Sequence, residues 1–103
     1  IDNIMNDIIK TYKQLVISKK IVIVYFFNEE CIKTNNIYNN LKNNNKNVLF
    51  LDYDVEKKDN QKLINIIDLK CYPYFFVYKN GKLIDQILGT LNVEKILGQY
   101  VCT

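Results

Sequence analysis

Apolar residues along the chain follow two patterns, helical spacing and short continuous runs. Segment 2–18 carries apolar side chains three or four positions apart, which predicts an amphipathic helix. The run 21–27 contains only β-branched and aromatic residues, which is typical of a strand buried on both faces at the centre of an α/β sheet. A helix over about 31–43 and a strand over 48–53 are predicted next. The apolar positions of the two helices are Ile4, Met5, Ile8, Ile9, Tyr12 and Leu15 in the first, and Ile37, Tyr38 and Leu41 in the second.

The second half of the chain continues the alternation and closes with a hairpin. Asp59 is a candidate N-cap for a third helix. Strands are predicted over 74–78 and 82–88 around Asn80-Gly81, because both residues of this pair tolerate a positive φ. The side chains spaced to bury together are Leu63, Ile66 and Ile67 in the third helix, and Val93, Ile96, Leu97, Tyr100 and Val101 in a last helix.

The predicted order of elements is α-β-α-β-α-β-β-α. Strands separated by helices are expected to run parallel with right-handed crossovers, and the closing hairpin adds an antiparallel strand. A chain of 103 residues fits one domain, which we assign to residues 1–103. We therefore predict an α/β domain with a central four-stranded mixed sheet and helices on both faces.

Composition excludes several kinds of chemistry. The sequence contains no histidine, so it has no Ser-His-Asp triad, Cys-His pair or histidine-ligated metal. Its three cysteines, Cys31, Cys71 and Cys102, stand too far apart in sequence for a metal knuckle, and an odd count fits a disulfide framework poorly. We predict neither a metal nor another cofactor.

Net charge, hydropathy and amino-acid bias indicate which partners and which source organism to expect. The net charge of +3 comes with dispersed lysines, which predicts no nucleic-acid partner. No apolar run approaches the roughly 18 residues of a membrane span, so we expect no membrane insertion. Asn, Ile, Lys and Tyr are abundant, a bias that predicts an AT-rich genome such as that of a protozoan parasite. The chain starts at Ile1 rather than Met, which leaves open a removed upstream segment, and the compartment is not predicted.

Several short motifs together resemble the thioredoxin family. Each motif is weak by itself, but their order and spacing extend over essentially the whole chain. The stretch 22–27, followed after three further residues by Cys31, is similar to the strand that delivers the family's active site. The stretch 47–55 is similar to the next strand and its acidic exit. The stretch 70–74 is similar to the cis-proline loop, and 79–82 with Gly89 is similar to the closing hairpin. The resemblance implies a thioredoxin-like fold without the family's peripheral first strand.

The sequence departs from the family at the catalytic motif. The family has Trp-Cys-Gly-Pro-Cys where this chain has the stretch 30–34. Cys31 matches the attacking cysteine, whereas Thr34 replaces the resolving cysteine and Glu30 replaces the tryptophan. Tyr25 stands where the family has a buried aspartate that helps to move the proton of the resolving cysteine. The resemblance thus implies that the second half of the family's reaction, in which the resolving thiol releases the bound partner, lacks both that thiol and the aspartate that moves its proton.

The predicted surroundings of Cys31 push its reactivity in opposite directions. A helix N-terminus favours the thiolate, and Lys33 adds to this effect. Glu29 and Glu30 oppose it, because negative charge disfavours a thiolate. Thr34, one helical turn on, is expected to donate a hydrogen bond to the sulfur in place of the lost thiol. The alternative is that Cys31 is an unreactive remnant of a degenerate site.

The only proline, Pro73, precedes a predicted strand. The resemblance implies that its peptide bond is cis, that it faces Cys31, and that it leaves the backbone of Tyr72 free to pair with an extended peptide; the alternative is a plain strand-entry proline. Tyr72 and Tyr74 would form an aromatic rim.

The two remaining cysteines are weaker candidates. Cys71, on the same loop as the proline, is either an unusual resolving thiol or a free thiol, and the second interpretation is favoured. Cys102 receives no role.

Two functions follow from this sequence. The first is monothiol thiol–disulfide exchange, in which Cys31 forms a mixed disulfide with a protein disulfide or glutathione and an external thiol releases it. The second is a redox-inactive binding or assembly module, in which the groove near Pro73 holds a peptide or protein client. The reactivity of Cys31 separates the two.

Overall fold

The computed structural model describes residues 2–89 and 91–101, with side chains described from Asp7 onwards. Its elements are α1 (Asp2–Val16), β1 (Ile21–Phe27), α2 (Ile32–Asn44), β2 (Leu49–Asp54), α3 (Gln61–Ile66), β3 (Tyr74–Lys79), β4 (Lys82–Leu88) and α4 (Val93–Val101), with a 3-10 turn at Lys58–Asn60 before α3. The predicted order of elements is confirmed. The side chains of Ile4 and Met5, predicted to lie on the apolar face of the first helix, are outside the described part of the chain.

The four strands form one mixed sheet in the order β2-β1-β3-β4. Strand β1 runs parallel to β2, with Val22 beside Leu49, and antiparallel to β3. β3 and β4 form the closing hairpin, in which Asn80 and Gly81 adopt φ values of 53° and 81°. The predicted α/β class and the four-stranded mixed sheet are confirmed.

The direction of β3 corrects the expectation that all helix-linked strands are parallel. β3 starts opposite Phe26, at the end of the sheet where β1 and β2 finish. Helix α3 has six residues and spans about 9 Å, whereas a six-residue strand spans about 20 Å. The helix alone therefore does not return the chain to the far end, and the loop after it brings the chain back to the end where β2 left the sheet.

Apolar side chains cover both faces of β1, which is buried from Ile21 to Phe26. One core lies between the sheet and helices α2 and α4, and the other between the sheet and helices α1 and α3, so helices pack on both faces as predicted. The first core comprises Ile21, Ile23, Tyr25, Tyr38, Phe50, Phe75, Val77, Ile87, Val93 and Leu97. The second comprises Tyr12, Val16, Val22, Val24, Phe26, Leu63 and Phe76.

The third helix differs from its prediction in two respects. Asp59 lies within the 3-10 turn, so it does not cap α3, and the capping position is taken by Asn60, whose side chain makes no capping hydrogen bond. Leu63 is buried and Ile67 packs against the same core, but Ile66 is 56% exposed. The predicted apolar face therefore holds at two of its three positions. None of the helices in the described ranges is long and apolar enough to cross a bilayer.

Phe75→Ala tests the packing of the first core. We expect the substitution to lower the free energy of unfolding by about 3–5 kcal/mol, because a fully buried ring is replaced by a cavity. Urea denaturation followed by circular dichroism measures this change. The control Ile66→Ala removes a largely exposed side chain and should change the free energy by no more than about 0.5 kcal/mol. Equal effects of the two substitutions would contradict the packing described.

Candidate functional site

Cys31 lies where β1 gives way to α2, at the carboxyl end of the central strand. It occupies the N-cap position of α2 and is partly exposed. Its backbone oxygen accepts the first hydrogen bond of the helix from Asn35 N at 2.8 Å. The thiol therefore stands beside the unpaired N–H groups of a helix start, as predicted.

The Cys31 thiol opens onto a groove of about 320 Å³. Most of the residues predicted to form the site line this groove, whereas Tyr25 does not. The lining residues are Asn28, Glu30, Cys31, Ile32, Lys33, Thr34, Tyr72 and Pro73. The structure thus brings together one stretch from the start of α2 and one from the loop before β3.

The loop opposite Cys31 gives the groove a partly apolar rim. The Tyr72–Pro73 peptide bond is cis. Pro73 O accepts a hydrogen bond from Gly89 N at 2.9 Å, which fixes the loop to the end of β4. Tyr72 is 46% exposed on one side and Ile32 is 68% exposed on the other. Tyr74, the first residue of β3, is half-buried and donates to Gln86 Oε1, so it belongs to the sheet.

Thr34 does not hydrogen-bond to the sulfur, contrary to the prediction. Its side chain is fully buried, and its hydroxyl makes no hydrogen bond with a described residue. The Cys31 thiol instead donates to Asn28 Oδ1 at 3.2 Å. Residue 34 lies one turn along α2 on the inner side of the groove, where its side chain is shielded from solvent.

Asn28 is the site residue that sequence reasoning missed. It is 4% exposed, and its side-chain oxygen also accepts the backbone N–H of Glu30 at 3.0 Å. Its amide nitrogen donates to Glu56 Oε1 at 3.3 Å. In the sequence alone, an asparagine directly after a predicted buried strand indicates only the end of that strand. Its ability to accept a backbone N–H two residues on is the signal that points to an ordered loop.

Tyr25 lies behind the groove rather than in it. It is buried, it stacks on Phe75 with ring centroids 4.4 Å apart, and its hydroxyl donates to Asn35 Oδ1. Burial raises the pKa of Tyr25, and a thiolate at Cys31 raises it further. At neutral pH this side chain is therefore a protonated phenol, which cannot accept a proton as a carboxylate would.

Cys71 faces a different surface. It lines a pocket of about 280 Å³ together with residues of the segment after α3 and of β3 and β4, and it is absent from the lining of the Cys31 groove. Both Cys31 and Cys71 are free thiols, and Cys102 lies outside the described residues. In the described ranges no three His, Cys, Asp or Glu side chains lie close enough together to hold a metal ion.

Comparison with known proteins agrees with this geometry. The thioredoxin family model matches residues 4–101. The structure is similar to oxidised thioredoxin from Plasmodium falciparum, with 23% identity, a TM-score of 0.74, and coverage of 89% of this chain and 91% of that chain. Mitochondrial thioredoxin 3 from Saccharomyces cerevisiae shares the fold at 18% identity and a TM-score of 0.75, with 91% and 88% of the two chains covered.

A second Plasmodium falciparum thioredoxin structure is 26% identical, with a TM-score of 0.68 and 87% coverage of both chains. No curated protein matches the sequence. Because the family model spans nearly the whole chain, the protein belongs to the thioredoxin family.

Thr34→Val tests whether the Thr34 hydroxyl contributes to the site. Valine has the same shape, so the substitution removes only a buried hydroxyl that has no hydrogen-bond partner. We expect the free energy of unfolding to rise by about 1 kcal/mol, measured by urea denaturation. The control Thr34→Ser keeps the hydroxyl, deletes a buried methyl, and should lower it by about 1 kcal/mol. Destabilisation by Thr34→Val would show that the hydroxyl is bonded after all.

Proposed function

We propose that this protein carries out thiol–disulfide exchange through a single thiol, that of Cys31. The supporting observation is the pairing of a partly exposed Cys31 at the helix start with a fully buried Thr34 one turn behind it. A hydroxyl cannot form a disulfide, so no thiol at that position would displace a partner bound to Cys31. Cys71 lines another pocket and is not arranged to take over this step.

The first step is attack on a disulfide. The Cys31 thiolate forms a bond to one sulfur of a disulfide, the S–S bond of the substrate breaks, and the leaving sulfur departs as a thiolate that takes a proton from solvent. The product is a mixed disulfide at Cys31.

An external thiol then completes the exchange. A thiol of the glutathione type attacks the sulfur of the bound partner, the mixed disulfide breaks, and Cys31 leaves as a thiolate. The sum of the two steps converts one disulfide and one thiol into another disulfide and another thiol, with no net oxidation.

The groove favours a protein disulfide, with glutathione as the releasing thiol or an alternative substrate. Tyr72 and Ile32 present apolar surface on its two sides. The backbone of Tyr72 precedes the ladders of β3, which begin at Tyr74, and so lies next to the sheet without being part of it. An extended peptide laid along the groove would pair with this backbone and bring its disulfide to Cys31.

One observation favours a second function, a binding module without redox activity. The thiol of Cys31 is engaged with the buried Asn28, and the carboxyl-bearing Glu30 lines the same groove. With an unreactive thiol, the apolar rim would still hold a peptide or protein client. The reactivity of Cys31 toward a disulfide decides between the two functions.

Incubation with glutathione disulfide tests the proposal. We expect a mixed disulfide that adds one glutathione at Cys31, identified by mass spectrometry of the Cys31 peptide. Cys31→Ser should abolish it, whereas Cys71→Ser should leave it in place. In the insulin-reduction assay with thioredoxin reductase we expect no turnover above background. Turnover that disappears in Cys71→Ser would show that Cys71 resolves the intermediate; absence of any adduct at Cys31 would favour the binding module.

Thr34→Cys tests whether the start of α2 is built like a two-thiol site. The N-cap and the residue three positions on are one turn apart, so we expect a disulfide to form between position 34 and Cys31 under mild oxidation. Reductase activity should stay well below that of a dithiol thioredoxin, because Tyr25 is a neutral phenol that cannot accept the proton of the introduced thiol.

The readout of this variant is the loss of two titratable thiols on oxidation, with Thr34→Ser as the control. Failure to form the disulfide would remove the geometric basis of the exchange mechanism.

A further inference from the structure

The strongest unassigned feature of the groove is Asn28, which contacts the thiol of the proposed nucleophile. Its Oδ1 accepts both the Cys31 thiol at 3.2 Å and the Glu30 backbone N–H at 3.0 Å. At 4% exposure the side chain is shielded from water. The thiol must release this hydrogen bond before its sulfur can attack, because a thiolate has no proton to donate to an oxygen acceptor.

We propose that Asn28 is a positioning residue that restrains the Cys31 thiol in a resting state and slows its reaction at neutral pH. The inference rests on the proposed function, because Cys31 is the nucleophile of that exchange. Asn28 does not contact the substrate; it acts through the hydrogen bond to Cys31.

Two neighbours fix which end of the Asn28 amide faces the sulfur. The Glu30 N–H points at Oδ1, and the amide nitrogen donates to the Glu56 carboxylate at 3.3 Å. Rotating the amide by half a turn would place its nitrogen against the Glu30 N–H and its oxygen against the carboxylate. Both new contacts would be repulsive, so the acceptor stays on the thiol. Glu56 therefore helps to hold Cys31 although it does not line the groove.

The ionisable groups that line the groove with Cys31, or lie behind it, are unchanged in the variants that test Asn28. They are Glu30 and Lys33 near the start of α2, Tyr72 of the proline loop and Tyr25 of β1. A difference between Asn28 variants thus reports on Asn28 and its link to Glu56.

The test compares two substitutions with opposite expected effects. Asn28→Ala removes the acceptor and should speed alkylation of Cys31 by iodoacetamide about 5-fold at neutral pH, roughly the worth of one hydrogen bond. Asn28→Asp keeps an acceptor and adds a negative charge beside the sulfur, so it should slow alkylation about 3-fold. Peptide-resolved mass spectrometry follows Cys31 in the intact chain. The rise of the rate with pH should begin at lower pH in Asn28→Ala and at higher pH in Asn28→Asp.

A second pair of variants tests the orientation of the amide. Glu56→Gln replaces the charge-assisted hydrogen bond that holds the Asn28 amide nitrogen with a weaker neutral one, which loosens the amide, and alkylation should become about 2-fold faster even at high salt. Glu29→Gln is the matched control, since it removes one exposed carboxylate of the same loop. Its effect should be purely electrostatic and should vanish at high salt.

Each outcome decides the inference separately from the proposed function. A slower or unchanged rate in Asn28→Ala, or a shift of both Asn28 variants in one direction, would overturn the role of Asn28, even if the wild type forms its mixed disulfide. A faster Asn28→Ala in a protein that forms no mixed disulfide would support the restraint and reject the exchange function. If Asn28→Ala does not fold, the salt-resistant acceleration in Glu56→Gln supports the inference and its absence overturns it.

Discussion

The candidate site depends on the end of the sheet at which β3 begins. β3 starts opposite Phe26, where β1 finishes and where α2 begins next to Cys31. This position makes β3 antiparallel to β1 and places the Tyr72–Pro73 peptide in the same groove as the thiol. A third strand parallel to β1 would have begun at the opposite end of the sheet, away from Cys31.

The sequence predicted what depends on local pattern and missed what depends on direction and hydrogen bonding. The continuous run of β-branched and aromatic residues at 21–27 predicts a central strand because these residue types favour strands buried on both faces, and the Asn80-Gly81 pair predicts the hairpin because it accommodates positive φ. The orientation of β3 depends on the end of the sheet at which the chain re-enters it, which periodicity does not report. The roles of Asn28 and Thr34 depend on which side chain near the start of α2 lies within hydrogen-bond distance of the sulfur. The spacing of residues along the sequence does not show this.

The side chains buried directly behind Cys31 carry no charge at neutral pH, and this limits the proton transfers that can accompany its chemistry. Thr34 fills the space one turn behind the thiol with a methyl and an unbonded hydroxyl, and Tyr25 fills the next layer with a phenol stacked on Phe75. Burial raises the pKa of Tyr25, so the layer holds no base at neutral pH. Proton transfer from a second thiol would have no internal acceptor. The two replacements are physically coupled, since an aspartate without a thiol to serve would be a buried charge without compensation.

In the proposed function, reactivity and recognition are carried by different residues of the same groove. Ile32 and Tyr72 would hold the peptide, and their exposed surfaces do not depend on the ionisation of the sulfur. The Asn28 side-chain oxygen would restrain the thiol through its hydrogen bond to Cys31. Because Asn28 is buried and presents no surface to a peptide, its replacement would change the rate of exchange without removing the surface that holds the peptide.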